Sequence, residues 1–166
     1  MKNGAKLILI LATTAIAVGG WAFTAKETAP EVRFATLSGR SIATSDLRGK
    51  VVLVNFWSTS CEICMHEMPM LSATYRRLAP QGYETIAVAM SYDHPNQVAA
   101  YAQRSKLPFS VALDLDGALA RKWGDIQATP TTFVVDRRGR IVKRYVGEPS
   151  EADFQAVLTK ALGEPA

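Results

Sequence analysis

The chain has 166 residues, of which 48% are hydrophobic, and a formal net charge of +4. This length and composition suit one globular domain and not two. The cationic residues are scattered, with short pairs at Arg76–Arg77 and Arg137–Arg138, and no basic stretch is interleaved with aromatic residues. The distribution disfavours nucleic-acid binding and is typical of an ordinary solvated surface.

Residues 1–24 carry a membrane-targeting pattern. Two lysines precede an uncharged, largely apolar run over Leu7–Thr24, which at about 1.5 Å per residue nearly spans a bilayer core. Lysines on that side predict that the amino terminus stays in the cytoplasm and that the rest is exported. A cleaved signal peptide is the alternative, since Gly20 and Ala22 are small. We favour an uncleaved anchor in the cytoplasmic membrane; either interpretation places the domain in the periplasm or another extracytoplasmic space.

After the anchor, residues 25–30 are predicted to form a short polar linker, and the folded domain is predicted over residues 31–166. A strand hairpin is expected over residues 32–42. The continuous apolar run VVLVNFW at Val51–Trp57 is typical of a central strand that is covered on both faces.

A helix is predicted to follow this strand directly and to begin at Cys61. Its apolar stripe recurs at three- and four-residue steps, at Met65, Met68, Leu71, Tyr75 and Leu78. Later patterns predict a strand, a helix, a short strand, a short helix, two antiparallel strands and a last helix, at residues 85–90, 95–106, 109–113, 116–123, 131–135, 140–146 and from 150 onwards. This order predicts an α/β fold with a mixed central sheet flanked by helices, an N-terminal β-hairpin and an inserted strand–helix unit.

The two cysteines of the chain, Cys61 and Cys64, are spaced as Cys-x-x-Cys at the predicted start of that helix. A helix amino terminus offers unpaired N–H groups and about half a positive charge, both of which stabilise a thiolate, the nucleophile of disulfide exchange. Cys61 is therefore predicted to be exposed and reactive. Cys64, one turn further, is predicted to be buried and to resolve a mixed disulfide on Cys61. An inert pair is disfavoured because Cys61 lies at a helix start.

Two prolines add local constraints. Pro69 falls within the predicted helix, where we expect a kink, although the helix could also end at Met68. The bond between Thr129 and Pro130 precedes the strand TTFVV and is a candidate cis peptide, with a trans proline as the alternative. A cis bond there would leave the backbone of Thr129 free to pair with a partner peptide beside Cys61.

The runs NFWSTSCEICMHEMP and ATPTTFVVDRRGRIV together resemble the thioredoxin superfamily, and most of all its membrane-anchored TlpA/ResA-like thiol-disulfide oxidoreductases. The similarity covers roughly residues 31–163. The resemblance implies that Cys61 attacks, that Cys64 resolves, and that Pro130 is the family's cis-proline with Thr129 before it. It implies no cofactor beyond the redox-active cysteine pair.

By the same resemblance, Glu67 matches a glutamate that ResA-like members keep after the cysteines. We predict that it manages protons for the thiols and that partial burial raises its pKa; a solvated helix glutamate is the alternative. Asn55 stands where thioredoxins have a buried aspartate. Glu62, beside Cys61, is predicted to oppose the effect of the helix on the Cys61 pKa, which suits a reductant.

The substrate surface is predicted to include Thr129 and Pro130 together with Trp57, Ser60, Glu62 and Ile63. The family usually has tryptophan at the position of Ser60 and often proline at that of Ile63. These two departures leave the substrate and the redox potential open.

Other site classes fit less well. A copper or other metal site could use both cysteines with His66 and His94, but His66 is expected to point away from the pair. Covalent haem attachment requires histidine at the position of Met65. A peroxidase would need a proline upstream of Ser58, and none precedes it there.

The function predicted from the sequence is a protein-disulfide reductase in an oxidising exported space. By resemblance, its substrates would be apocytochrome c or the cysteines of a copper-site protein, and a membrane thiol carrier would reduce it again. The alternative is a metal chaperone or binding module that uses the two cysteines.

Overall fold

The order of strands and helices in the structure follows the order of the sequence patterns. The computed structural model describes residues 26–165, so the predicted anchor lies outside the described residues. Within that range, no helix is both long enough and apolar enough to cross a membrane.

The strands of the described chain form two sheets. The smaller is an antiparallel hairpin of β1 (Arg33–Ala35) and β2 (Ser41–Ala43). The larger has five strands, β3 (Val51–Trp57), β4 (Tyr83–Ala89), β5 (Ser110–Leu113), β6 (Thr131–Val135) and β7 (Ile141–Val146). Their spatial order is β5-β4-β3-β6-β7. Strands β3, β4 and β5 are parallel, whereas β6 and β7 pair antiparallel, so the predicted mixed sheet is confirmed.

Four α-helices flank this sheet among the described residues: α1 (Glu62–Leu78), α2 (Pro95–Arg104), α3 (Ala118–Lys122) and α4 (Glu151–Gly163). Buried side chains of α1, α2 and α4 join one core layer, and those of α3 join the layer on the opposite face. Strand β5 and helix α3 form the predicted inserted unit. The order of the elements and the mixed sheet confirm the predicted α/β fold.

Strand β3 lies at the centre of the sheet and all seven of its residues are buried. Because side chains alternate across a strand, Leu53 and Trp57 enter the layer under α1, whereas Val54 and Phe56 enter the opposite layer. The unbroken apolar run therefore has the predicted cause, which is burial on both faces.

Helix α1 begins immediately after Cys61 and continues through Pro69 to Leu78. Pro69 is exposed and does not end the helix, so the alternative ending at Met68 is wrong. A short 3-10 turn and Gly82, with φ of 85°, then turn the chain into β4. That positive φ is readily available to glycine and rarely to other residues.

The structure corrects the prediction that residues 25–30 form a linker outside the folded domain. Ala29 is buried, and its N–H donates to the carbonyl of Gly139 at 2.9 Å. The carbonyl of Glu27 accepts from the N–H of Ile141 at 2.7 Å. The β6–β7 hairpin thus offers backbone groups that hold this segment, and the folded domain begins by Glu27 and not at Glu31.

Candidate active site

The cysteine pair lies where the carboxyl end of β3 turns into α1. Cys61 and Cys64 form a disulfide with their Cα atoms 5.2 Å apart. Cys64 is completely buried, whereas Cys61 is partly exposed. The predicted difference in exposure is confirmed, and it leaves Cys61 as the sulfur that a partner can reach.

Cys61 is the N-cap residue of α1, and its sulfur accepts the backbone N–H of Cys64 at an N–S distance of 3.2 Å. The carbonyl of Cys61 meanwhile accepts the N–H of Met65 at 3.1 Å. In the dithiol form, the same N–H group and the helix amino terminus would stabilise negative charge on Cys61. This arrangement favours a thiolate at Cys61 over one at Cys64.

The loop that immediately precedes β6 faces the exposed sulfur of Cys61. The Thr129–Pro130 peptide bond is cis, and the carbonyl oxygen of Thr129 lies 3.5 Å from the sulfur of Cys61. The carbonyl of Pro130 accepts the N–H of Gly147 at 2.8 Å, which fixes the loop to the end of β7. The structure therefore brings Cys61, Thr129 and Pro130 together, as the sequence predicted.

Glu67 lies on α1 one turn after Cys64 and is completely buried, so the alternative of a solvated glutamate is wrong. Asn55 of β3 donates from Nδ2 to Glu67 Oε1 at 2.7 Å and to Thr132 Oγ1 at 2.9 Å. Burial raises the pKa of Glu67 to about 7, against the hydrogen bond from Asn55, which lowers it, and with a smaller upward effect of Glu148. Residues three apart on a helix share a face, so this carboxyl lies on the same side of α1 as Cys64.

The remaining predicted surface residues divide into two groups. Ser60, Glu62 and Ile63 are exposed around the disulfide, and half of the Ile63 side chain is accessible. Trp57 is completely buried and its ring lies 5.4 Å from that of Tyr101. The prediction that Trp57 contacts a substrate is therefore corrected. Trp57 is an inward-facing residue of the central strand and belongs to the same core layer as Cys64.

Asp93, which the sequence analysis did not identify, binds the turn that precedes Cys61. Its carboxylate accepts from the N–H of Thr59 at 2.6 Å, from Thr59 Oγ1 at 3.0 Å and from Ser58 Oγ at 2.9 Å. The hydroxyl-rich run Ser58-Thr59-Ser60 was the available signal, because each of its hydroxyl groups can donate a hydrogen bond to an acceptor elsewhere in the fold.

The two histidines do not converge on the cysteines. His66 Nδ1 lies 3.0 Å from both carboxylate oxygens of Glu148, and His94 is the N-cap residue of α2. Across residues 26–165, no three His, Cys, Asp or Glu side chains are grouped as a metal site would require.

The fold and the site define a thioredoxin-like protein with a redox-active disulfide at a helix amino terminus. Comparisons with known proteins agree: the model of the Redoxin family matches residues 24–158. The chain belongs to this family.

Curated relatives carry the name thiol-disulfide oxidoreductase ResA. The protein of that name from Geobacillus thermodenitrificans is 34% identical over 87% of this chain and 78% of its own length. The one from Bacillus subtilis is 31% identical over 92% and 87%. A crystal structure of a thiol:disulfide interchange protein from Chlorobium tepidum superimposes with a TM-score of 0.77 at 28% identity, covering 84% of this chain and 99% of that one. The predicted resemblance to ResA-like proteins is thus confirmed.

Proposed function

We propose that this protein is a protein-disulfide reductase that acts through a dithiol cycle of Cys61 and Cys64. The observation that supports it most directly is the asymmetry of the pair. Cys61 is accessible and receives the N–H of Cys64, whereas Cys64 is buried beneath it. One sulfur is arranged to meet a partner and the other to finish the exchange.

In the proposed cycle, the Cys61 thiolate attacks one sulfur of a partner disulfide. A mixed disulfide forms, and the first partner thiolate leaves and takes a proton. The Cys64 thiolate then attacks the sulfur of Cys61, which forms the intramolecular disulfide and releases the second partner thiolate, which also takes a proton. The partner gains two electrons and two protons, and the cysteine pair loses them.

Glu67 supplies the proton transfer that this cycle requires at Cys64. A carboxyl group with a pKa of about 7 is present in both protonation states at neutral pH. Its carboxylate would accept the Cys64 proton when Cys64 attacks, and its acid form would return a proton when the disulfide is reduced again. The burial of both groups on one face of α1 supports this assignment.

We further propose that the domain is tethered by residues 1–24 to the outer face of the cytoplasmic membrane. There, a membrane thiol carrier would reduce it, and its substrates would be protein disulfides, such as those formed by the cysteines of apocytochrome c or of a copper-site protein. The names of the curated relatives support thiol-disulfide chemistry on this chain. The proposed substrates and donor rest on the family resemblance.

The test is the reduction potential of the Cys61–Cys64 pair in the full chain, equilibrated in defined thiol buffers and trapped by alkylation. Known proteins of this chemistry range from about −270 mV for a reductant to about −120 mV for a strong oxidant. We expect a value in the reducing half of that range. Glu62 is exposed immediately after Cys61, where its charge would oppose an unusually stable thiolate.

A value near the oxidising end would contradict the reductase assignment and indicate an oxidant or isomerase. If no disulfide formed at any buffer ratio, the dithiol cycle itself would be wrong and metal binding would become the leading hypothesis. A Cys64→Ser variant provides the control, since it cannot form the intramolecular bond.

A further inference from the structure

The short turn Ser58–Ser60, between β3 and Cys61, is held by a residue far away in the sequence. Asp93 Oδ2 accepts the N–H of Thr59 at 2.6 Å, and Oδ1 accepts both Thr59 Oγ1 at 3.0 Å and Ser58 Oγ at 2.9 Å. Hydrogen bonds to an ionised carboxylate are shorter and roughly twice as strong as neutral ones. A single carboxylate thus binds three donors of one turn.

Asp93 itself is fixed to the sheet. Its N–H donates to the carbonyl of Met90 at 3.0 Å, and the N–H of Met90 donates to the carbonyl of Trp57 at 3.0 Å. The loop after β4 is therefore hydrogen-bonded at its first residue to the last residue of β3. Through the carboxylate of Asp93, it is also hydrogen-bonded to the turn that follows β3. This closed set of hydrogen bonds gives the carboxylate a defined position relative to the central strand.

The contacts of Asp93 extend to the residue before the nucleophile. The hydroxyl of Ser58 lies 2.8 Å from that of Ser60 and accepts the N–H of Ser60 at 3.2 Å. The N–H of Cys61 donates to the carbonyl of Ser58 at 3.2 Å. Every residue of the turn is therefore connected, directly or through Ser58, to the carboxylate of Asp93.

We propose that Asp93 is a positioning residue for disulfide exchange, which holds Cys61 at the geometry that attack by Cys64 requires. The step affected is the closure of the mixed disulfide. The Cys64 thiolate bonds to the sulfur of Cys61, the bond from Cys61 to the partner sulfur breaks, and the partner leaves as a thiolate that takes a proton from solvent. This inference rests on dithiol exchange at Cys61 and Cys64 but not on the direction of electron flow.

The expected effect follows from proximity. The effective concentration of one group toward another within a molecule depends on how well both are held in place, so partial loosening of the turn should lower the effective concentration of Cys64 toward Cys61 about tenfold. Because β3 and α1 still hold the two ends of the turn, we expect loosening and not loss of the site.

The test compares the effective concentration of Cys64 toward a glutathione mixed disulfide on Cys61, in the full chain and its variants. Each protein is equilibrated with reduced and oxidised glutathione, quenched with acid, and its dithiol, mixed-disulfide and disulfide forms are counted by mass spectrometry. In Asp93→Asn, an amide NH2 group replaces one of the two carboxylate oxygens, and this group cannot accept the N–H of Thr59. We expect a tenfold fall, which corresponds to a potential about 30 mV less negative.

A second variant separates position from charge. Ser58→Ala combined with Thr59→Val removes two of the three donors but leaves the negative charge of Asp93 in place. We expect it to lower the effective concentration about threefold, in the same direction as Asp93→Asn. It also tests the inference if Asp93→Asn does not fold.

Asp46→Asn is the matched control. Asp46 also accepts one backbone N–H, that of Ala43 at 2.9 Å, but it lies before the opposite end of β3. We expect its glutathione equilibrium to equal that of the parent. An effect of Asp93→Asn without one in the double variant would show that Asp93 acts through its charge, and no effect in either variant would likewise overturn the inference. A potential in the oxidising range would instead refute only the proposed reductase direction.

Discussion

The two faces of the central sheet are built from different chemistry. On the face under α1, the side chains of Asn55, Glu67 and Thr132 form a buried, hydrogen-bonded polar cluster within the core layer. The opposite face has an aromatic centre, where the ring of Trp123 lies 5.0 Å from that of Phe133 and 6.2 Å from that of Phe56. One layer therefore holds a titratable group next to the disulfide, and the other provides apolar packing.

This difference shows on which face of the sheet the domain tolerates a buried ionisable group. Burying a carboxyl group raises its pKa and destabilises its ionised form. A partner amide from Asn55 offsets only part of that cost for Glu67. This unfavourable burial lies on the face that carries Cys64, where the proposed cycle requires a proton acceptor. The following predictions separate the contributions of the two faces.

The largest expected effect is that of Cys61→Ser. Without the exposed thiolate, reduction of a protein disulfide such as insulin should be lost completely, because serine cannot form the mixed disulfide. Turnover is measured as insulin precipitation in the presence of dithiothreitol. Retained activity in this variant would show that the mechanism does not begin at Cys61.

Cys64→Ser supplies the complementary result. It should also lack turnover, but it should accumulate mixed disulfides on Cys61, since no second thiol can release the partner. Nonreducing mass spectrometry distinguishes the two variants.

On the aromatic face, Trp123→Ala should affect stability and not chemistry. Truncation of a buried tryptophan typically costs about 3–5 kcal/mol of the free energy of unfolding, and this ring is almost fully buried. Urea unfolding measures the loss, and the glutathione equilibrium of the folded protein should be unchanged. A shift in that equilibrium would show that the two faces are coupled.

On the redox face, Glu67→Gln should change how stability depends on pH. The pKa of Glu67 is raised from 4.5 to about 7 in the folded state. Between those values the folded protein keeps a proton that the unfolded chain has lost, so stability falls as pH rises. At pH 8 the glutamine variant should be more stable by about 3 kcal/mol, and the difference should vanish below pH 4.5.

Urea unfolding of the disulfide form at pH 4, 6 and 8 measures this difference. A constant offset across the three pH values would mean that the pKa of Glu67 is the same in the folded and the unfolded protein. Glu148→Gln sharpens the result, because removing that nearby charge should lower the Glu67 pKa and reduce the pH-dependent loss of stability.

The sequence predicted those features that local patterns determine. A seven-residue apolar run defined the central strand, and the position of Cys61 at a helix start predicted which sulfur is exposed. The raised pKa of Glu67 was anticipated from the resemblance, and the structure gives its cause as burial. The proposed proton transfer by Glu67 and the contact of Ile63 with a substrate remain predictions.

Contacts between distant segments were not predictable in the same way. Asp93 meets Thr59 across 34 residues, and no local pattern encodes that pairing. The apolar run Val51–Trp57 predicted burial on both faces, and the placement of Trp57 on the substrate surface did not take that burial into account. The mainly polar or small residues 25–30 predict a linker, whereas backbone hydrogen bonds of Glu27 and Ala29 to the β6–β7 hairpin hold the described part of this segment.

The amino-terminal segment over residues 27–37 reaches both edges of the five-stranded sheet. At one edge, Thr28 forms a β-bridge with Arg140, the residue before β7. At the other edge, Thr36 forms a β-bridge with Ala112 of β5, and the N–H of Leu37 donates to the carbonyl of Val111. Exposed edge strands present unpaired backbone groups to which strands of other molecules can add. By occupying part of each edge, residues 27–37 leave fewer unpaired backbone groups there for strands of other molecules.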